Sequence, residues 1–276
     1  LARAVGHLRD ARRIGIIDLG SNSARLMVAH YTPGWAFQIT DEVSRRVRLS
    51  EGMGPDRVLR PAAMARTLEA LRMFRAFCSA NGVRRIVAVA TAAVRDAVNR
   101  AEFLRRARRE TGLRLRVISG EDEAYYGTLG AINSLGVRAG LVMDVGGGSA
   151  QVSQVRRGGF RRGVTAPLGA VRLTEMYLAG SPVKRADIAR LADHVESTFK
   201  MVDWMEVGQG EAFVGLGGTA RSLARMDLAA RGYPLEIVNG YELELRRVEK
   251  MIDRLRVLPV EARARKVPGL QPDRAD

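Results

Sequence analysis

Two short segments, one in each half of the chain, place an aspartate, glycines and a serine at the same spacing. Residues 14–26 read IGIIDLGSNSARL, and residues 141–152 read LVMDVGGGSAQV. In each, an apolar run leads into Asp-x-Gly, two small residues, a serine and a second apolar run. Small residues let backbone N–H groups close on an anion, and an aspartate at a strand end can hold Mg²⁺. The repeated pattern predicts two turns that bind phosphate and its metal ion.

The two turns supply most of the candidate site residues. Asp18 and Asp144 are the candidate metal ligands. The candidate phosphate-binding groups are the small residues that follow them: Ser21, Asn22, Ser23, Gly146, Gly147, Gly148 and Ser149. One such turn alone is as easily structural, because many strands end at a glycine. Its repetition at the start of both halves favours a functional role.

A third glycine turn, GLGGTA at residues 215–220, follows a predicted strand and precedes a predicted helix. Backbone amides and the dipole at a helix N-terminus attract anions, so Gly217, Gly218 and Thr219 join the phosphate-binding candidates. The structural alternative is a plain tight turn in which Thr219 caps the helix.

Charged side chains follow two further elements. Arg95 lies just after a predicted buried strand, Arg84–Thr91, and its guanidinium can hold a phosphate through parallel hydrogen bonds. For Arg95 alone, an ordinary surface arginine is the default interpretation. Glu121, Asp122 and Glu123 begin a predicted helix, where the helix dipole by itself accounts for acidic residues.

The composition limits the class of protein and the kind of partner. The net charge of the 276 residues is +15, and all but four of the 45 basic residues are arginines. This charge predicts a polyanionic partner, while a base-composition bias toward arginine explains it equally well. Nucleic acid is disfavoured, because aromatic residues are only 5% and no basic run is interleaved with them.

The sequence also bears on location. No apolar run approaches the ~20 residues of a membrane span, and arginines interrupt the N-terminus where a signal peptide would need an apolar core. Cys78 is the single cysteine and has no internal disulfide partner. These features predict a cytoplasmic protein without a membrane association.

Strands and helices alternate in both halves, which predicts an α/β protein with mixed sheets flanked by helices. We expect a basic N-terminal arm at 1–13, a first domain at 14–135 and a second at 136–276, with one cleft that both domains face. Within the first domain, Trp35–Thr40 and Val43–Leu49 are predicted as separate strands, and Asn99 with Glu102 as a helix capping box.

In order along residues 18–220, the segments DLGSNS, VRLSEGMG, VATAAVRDAVN, VISGEDEAYYG, DVGGGS and GLGGTA resemble one family. It is the exopolyphosphatase and guanosine pentaphosphate phosphatase (Ppx/GppA) family, of the actin, heat-shock-protein and sugar-kinase superfamily. The resemblance implies two ribonuclease-H-like domains around a cleft. It also implies Mg²⁺-dependent release of the terminal phosphate from polyphosphate, or from guanosine pentaphosphate of the stringent response, and frequent homodimers.

The resemblance also assigns roles to residues. Glu123 matches the proposed catalytic carboxylate of the family, and Asp144 matches the aspartate at the metal and the catalytic water. Asn22, Ser23 and Arg95 match phosphate-binding groups.

Two features depart from the family pattern. Members commonly carry a glutamate where this chain has Gln151, and glutamine can orient a water but cannot take its proton. Glu123 would then be the only base. The tail resembles the stretch before the family's closing segment, so we expect the second domain to be truncated at its C-terminus.

Two other functions stay open at this stage. One is an ATP-dependent phosphotransferase of the same fold. The other is a non-catalytic sensor of polyphosphate or guanosine alarmones, weakened by Gln151. The sequence does not choose between polyphosphate and guanosine pentaphosphate as the ligand.

Overall fold

The computed structural model describes residues 11–178 and 180–275, and these form two compact units that divide between Ser119 and Gly120. The predicted basic arm lies mostly in residues 1–10, outside the described residues. Its last residues belong to the first strand, which begins at Arg12 rather than Ile14.

The first unit is a five-stranded mixed sheet with helices, in the strand order β3-β2-β1-β4-β5. Its strands are β1 (Arg12–Leu19), β2 (Ser23–Thr32), β3 (Ala36–Arg46), β4 (Arg85–Ala90) and β5 (Leu115–Val117). Its helices are α1 (Pro61–Ala80), α2 (Ala92–Asp96) and α3 (Arg100–Thr111). β1 pairs antiparallel with β2 and parallel with β4, and β4 pairs parallel with β5. The carboxyl ends of β1, β4 and β5 therefore lie side by side, and we call this end of the strands the edge of the first sheet.

The second unit contains a four-stranded sheet in the order β8-β7-β6-β9. Its strands are β6 (Gly140–Val145), β7 (Ala150–Arg156), β8 (Gly159–Ala166) and β9 (Ala212–Leu216). The helices are α4 (Gly120–Leu135), α5 (Ala170–Tyr177), α6 (Arg185–Phe199), α7 (Gly217–Ala230), α8 (Leu245–Arg256) and α9 (Val260–Lys266), followed by a 3₁₀ helix, Pro272–Arg274.

The two sheets repeat one topology. In each, three antiparallel strands come first in the chain, and a fourth strand then pairs parallel with the first of them. Both Asp-x-Gly turns occupy the same place, between the first and second strands. This repeat confirms the predicted α/β fold with mixed sheets and places the candidate turns at equivalent positions.

Apolar burial holds each unit together separately. In the first, alternate residues of β1 and β2, such as Ile17 and Leu26, pack with Leu71 and Phe74 of α1 and Phe103 of α3. In the second, α4 packs through Ala131 on Val142 and Val155 of the sheet. None of the helices in the described ranges combines the length and the apolar character that a bilayer span requires.

Two predicted boundaries differ from the structure. The helix α4, which the sequence analysis placed in the first domain, packs on the second sheet: Ser153 Oγ donates to Ala124 O at 3.4 Å. The separate strands predicted on either side of Asp41 form one strand, β3. The register of its pairing with β2 shifts between Val28 and Ala29, and the strand continues through this shift although the alternation of apolar residues is interrupted there.

Candidate active site

The two Asp-x-Gly turns have the same backbone hydrogen bond. Gly20 N donates to Ser23 O at 3.0 Å in the first, and Gly146 N donates to Ser149 O at 2.9 Å in the second. A Cβ on either glycine would lie 3.2 Å from the serine oxygen, which is tighter than most Cβ contacts. The sequence repeat is therefore also a repeat of turn geometry.

In the first turn, the loop after β3 binds the carbonyl oxygens. Val47 N and Arg48 N donate to Asn22 O at 2.9 and 2.8 Å, and Ser50 N donates to Ser21 O at 3.1 Å. The peptide groups are thereby oriented with their oxygens toward this loop.

In the second turn, the start of α5 makes the equivalent contacts. Ala170 N donates to Gly146 O at 2.9 Å, and Val171 N donates to Gly147 O at 3.0 Å. The approach is so close that a Cβ on Gly169 would overlap the backbone of Gly147 and Gly148.

Fixing the carbonyl oxygens has a consequence for the N–H groups of both turns. Among the described residues, the N–H groups of Ser21, Asn22, Gly147 and Gly148 meet no acceptor. Successive backbone donors held in a turn form an anion-binding concavity. Both turns therefore have backbone donors that no described acceptor uses, and their role in phosphate binding stays a prediction.

Asn22 also has a side-chain atom that the described part of the chain leaves without a partner. Its Oδ1 is buried and meets no donor there. A buried amide without partners costs free energy, so this position suits a ligand that supplies them.

Asp18 is the last polar residue of β1 and lies opposite Arg25 of β2. Solvent reaches its side chain, yet the surrounding protein desolvates the carboxylate and raises its pKa, which the charge of Arg25 opposes. A carboxylate that is costly to ionise alone is one that a bound cation would stabilise.

Asp18→Asn is expected to stabilise the metal-free protein at pH 7. Because the folded state raises the pKa, it binds more protons than the unfolded state above the ordinary carboxyl pKa, so stability falls as pH rises there. The gain should be less than about 1 kcal/mol, since solvent screens the group. Urea unfolding in chelator should show the gain at pH 7 and lose it below the ordinary carboxyl pKa. An equal gain at both pH values would contradict the assignment.

Arg95 lies at the same edge of the first sheet as Asp18. Thr91 N donates to Leu19 O at 3.1 Å, which fixes the start of α2 beside the end of β1. Arg95 Nη1 donates to Ile118 O at 3.3 Å, and Nε lies 3.8 Å from Asp96. The guanidinium is thus held at the edge that carries the first turn, with 20% of its side chain exposed.

The second unit brings three predicted residues into one small pocket. Glu123, Asp144 and Gln151 line it together, and the remaining lining residues are Ala124, Gly127, Thr128, Val142, Ser153 and Leu216. Asp144 and Gln151 are direct partners across β6 and β7. Gly120 lets α4 begin against Thr165, since any Cβ there would overlap the Thr165 side chain.

Gln151 is buried, and its amide nitrogen is fully used. Nε2 donates to Ser149 Oγ at 2.8 Å and to Thr165 Oγ1 at 3.1 Å. An amide has two N–H donors, so the only further capacity of Gln151 is the acceptor Oε1. The pocket therefore combines two carboxylates with the amide oxygen of Gln151 and the hydroxyl groups of Thr128 and Ser153.

The side-chain oxygens of this pocket are the kind of ligands that a hard divalent cation binds. Mg²⁺ prefers oxygen ligands and is commonly held by one or two carboxylates plus water and substrate phosphate. Within the described residues, no three His, Cys, Asp or Glu side chains cluster as a ready cation site. A cation at Asp144 would need water or the substrate to complete its coordination.

Asp144 is enclosed by two glycines. Gly217, at a φ of +85°, would place a Cβ 2.6 Å from Asp144 Oδ1, while a Cβ on Gly127 would lie 3.7 Å from Oδ2. Glycine is therefore required at 217 both by backbone conformation and by the carboxylate. Gly217 of the third turn is therefore packed directly against Asp144, the aspartate that precedes the second turn.

The third turn begins α7, with Leu216 at the N-cap and no side-chain cap. Gly217, Gly218 and Thr219 form the first turn of the helix, so Thr219 is not the cap. Arg274 has its guanidinium against Gly218, where a Cβ would overlap it. Sequence reasoning missed Arg274, because one arginine among many gives no signal until the fold places it.

The predicted residues thus fall into two groups. The first unit holds Asp18, Ser21, Asn22, Ser23 and Arg95 at one edge of its sheet. The second unit holds the remaining candidates around its pocket and glycine turns: Glu123, Asp144, Gly146, Gly147, Gly148, Ser149, Gln151, Gly217, Gly218 and Thr219.

Comparisons with known proteins show which family the chain belongs to. The model of the Ppx/GppA phosphatase family matches residues 27–276. Exopolyphosphatase 1 of Mycobacterium tuberculosis is 32% identical over 222 residues, which cover 79% of this chain and 64% of that protein. Exopolyphosphatase 1 of Mycobacterium leprae is 32% identical, with 79% and 66% covered. The chain spans about two thirds of the length of these curated relatives.

Solved structures show the same fold. The Ppx/GppA family member from Aquifex aeolicus has a TM-score of 0.77 at 29% identity, covering 96% of this chain and 85% of that one. An exopolyphosphatase from Cytophaga hutchinsonii has a TM-score of 0.84 at 22% identity, with 96% and 86% covered, a likeness of fold alone. With the family model matching most of its length and the repeated turns in place, the chain belongs to the Ppx/GppA phosphatase family.

Proposed function

We propose that the chain hydrolyses phosphoanhydrides and releases the terminal phosphate of inorganic polyphosphate in a Mg²⁺-dependent reaction. The observation that carries the proposal is the second-unit pocket, where Glu123, Asp144 and Gln151 converge close in sequence to a turn whose Gly147 and Gly148 N–H groups meet no described acceptor. The curated relatives of similar sequence are exopolyphosphatases, which supports polyphosphate as the substrate class.

Binding would rest on donors that the fold already orients. The N–H groups of Gly147 and Gly148 would hold phosphate oxygens, as would those of Ser21 and Asn22 in the first unit. Arg95 would add a charge-assisted hydrogen bond. Because these donors are fixed before the substrate arrives, they neutralise charge without reorganising as the transition state forms.

Glu123 would orient the attacking water and accept its proton. The water oxygen bonds to the terminal phosphorus, the bridging P–O bond breaks, and the shortened chain leaves with the electron pair. Gln151 would accept a hydrogen bond from that water through Oε1, since both of its N–H donors are used. Bound at Asp144, with Asp18 as a second candidate ligand, Mg²⁺ would stabilise charge on the phosphates.

A second candidate function is a non-catalytic sensor of the same ligands. The observation that favours it is the neutral Gln151 in a pocket with only two carboxylates. Tight binding of polyphosphate or guanosine pentaphosphate without phosphate release would identify a sensor. Cytoplasmic location and homodimer formation stay predictions from the sequence.

Colorimetric phosphate release from long polyphosphate, guanosine pentaphosphate and ATP tests the proposal. We expect Mg²⁺-dependent release from polyphosphate that chelator abolishes. Release from guanosine pentaphosphate alone would assign the nucleotide as the substrate. Transfer from ATP to an acceptor, with no hydrolysis of polyphosphate, would indicate a phosphotransferase and overturn the proposal.

A further inference from the structure

The exposed part of α3 in the first unit carries four arginines and one acid, Glu102. Five of the twelve residues of this helix are arginine, and two are glutamate. Phe103 and Ala107 turn the opposite face into the core. Arg105, Arg108 and Arg109 are exposed, and we call these three residues the arginine stripe.

The nearby acid is already shared among other arginines. Glu110 accepts hydrogen bonds from Arg72 of α1 at 2.8 Å and from Arg106 at 3.2 Å, and these bonds lower its pKa. Arg109 lies 3.7 Å from the same carboxylate. Within the ranges described, the guanidinium groups of Arg105 and Arg108 have no ion-pair partner.

The helix dipole favours Arg108 and Arg109, which lie in the last turn of α3, but it does not account for Arg105 or for the spacing of the three residues. Arg108 and Arg109 lie three and four residues after Arg105, and like charges at these separations repel each other on a helix. A bound polyanion would convert this repulsion into attraction. Charge clustering of this kind therefore indicates a ligand with several negative charges.

The helix also connects the phosphate-binding edge to a distant part of the first unit. Arg100 Nη1 donates to Arg95 O at 3.1 Å, so α3 begins beside the arginine proposed to bind phosphate. Its twelve residues extend about 18 Å from that edge. Arg114 is exposed just beyond the far end.

We propose that the arginine stripe binds the trailing part of a long polyphosphate chain whose leading phosphates are held by Arg95 at the phosphate-binding edge of the first unit. This inference rests on the proposed function and narrows its substrate to long chains. Polyphosphate is favoured over nucleic acid because the one aromatic residue of α3, Phe103, is buried, so the stripe offers no surface on which bases could stack.

A triple charge reversal, Arg105→Glu with Arg108→Glu and Arg109→Glu, tests the proposal. We expect KM for long polyphosphate to rise at least about tenfold, with a weaker dependence on salt, because phosphate contacts carry the salt dependence. The kcat/KM for tripolyphosphate, which is too short to extend from Arg95 to Arg108 and Arg109 in the last turn of α3, should change less than about twofold. Circular dichroism and thermal unfolding confirm that the variant is folded.

The matched control is Arg161→Glu with Arg185→Glu and Lys250→Glu, which changes the net charge equally at exposed positions of the second unit. It should leave KM for long polyphosphate near the wild-type value. Equal losses on long and short chains, or an equal loss in the control, would overturn the proposal. So would displacement of polyphosphate by RNA or DNA at equal phosphate concentration.

A different result is expected if the proposed function is wrong. In that case wild-type protein releases phosphate from neither long polyphosphate nor tripolyphosphate. Binding of fluorescently labelled long polyphosphate then still tests the stripe. Loss of binding in the triple variant but not in the control supports it, and equal binding by all three proteins refutes it.

Discussion

Glu123→Gln is expected to lower kcat for phosphate release by about 10²–10⁴-fold, with KM within a few-fold of wild type. Glutamine keeps the shape of the side chain but cannot take a proton from water. By this assignment no other base is available in the pocket, because Gln151 is an amide and Asp144 is the proposed ligand of the metal ion. Steady-state phosphate release at saturating Mg²⁺ and polyphosphate measures the effect.

The same helix provides a matched control. Glu121 is exposed and does not line the pocket, so Glu121→Gln removes the same charge from the first turn of α4 without touching the site. It should keep wild-type kcat. Wild-type turnover in Glu123→Gln would exclude Glu123 as the base. Equal loss in both variants would mean that activity depends on the negative charge at the start of α4 and not on proton transfer to Glu123.

The Asp-x-Gly turns could be predicted because their determinants are local. An apolar strand, an aspartate and small residues specify a strand that ends in a tight turn, and the repeat reinforced the prediction. Their function depends on partners that local sequence does not show. The loop after β3 and the start of α5 bind the turn carbonyls, and only the fold reveals that this leaves the N–H groups for a ligand.

The assignment of α4 to the first domain followed chain order. This helix comes directly after β5 and before the predicted linker, so sequence offered no reason to move it. Contacts distant in sequence decide its place, because Gly120 packs against Thr165 and Ala124 accepts a hydrogen bond from Ser153. That placement is what brings Glu123 into the pocket with Asp144.

Asn99 shows how tertiary contacts replace a local motif. The spacing to Glu102 predicts a capping box, but the Asn99 side chain makes no cap hydrogen bond. Instead, its amide accepts from Leu59 N at 3.0 Å and donates to Leu59 O at 3.1 Å. Two bonds to a backbone forty residues away outweigh the single bond of a cap.

Gly217→Ala is expected to impair both folding stability and activity. Alanine at a φ of +85° costs about 1–2 kcal/mol, and its Cβ would lie 2.6 Å from Asp144 Oδ1 and 2.9 Å from Val145 O. The backbone oxygen cannot move aside easily, so the carboxylate must shift. A displacement of about 1 Å in a reacting group can cost 10²-fold in rate, and we expect a loss of that order.

Alanine substitutions at two further glycines test whether the loss in Gly217→Ala comes from its contact with Asp144 or from any glycine-to-alanine change. Gly130→Ala places a methyl group in open space on α4 and should keep activity while slightly stabilising the helix. In Gly218→Ala the nearest atoms to the new methyl group belong to the guanidinium of Arg274, the end of a flexible side chain that can move away. Urea unfolding and phosphate release should therefore rank the three variants with Gly217→Ala lowest in both. Wild-type activity in that variant would mean that the position of Asp144 does not depend on Gly217, and the proposed support of the metal-binding carboxylate by the third turn would be wrong.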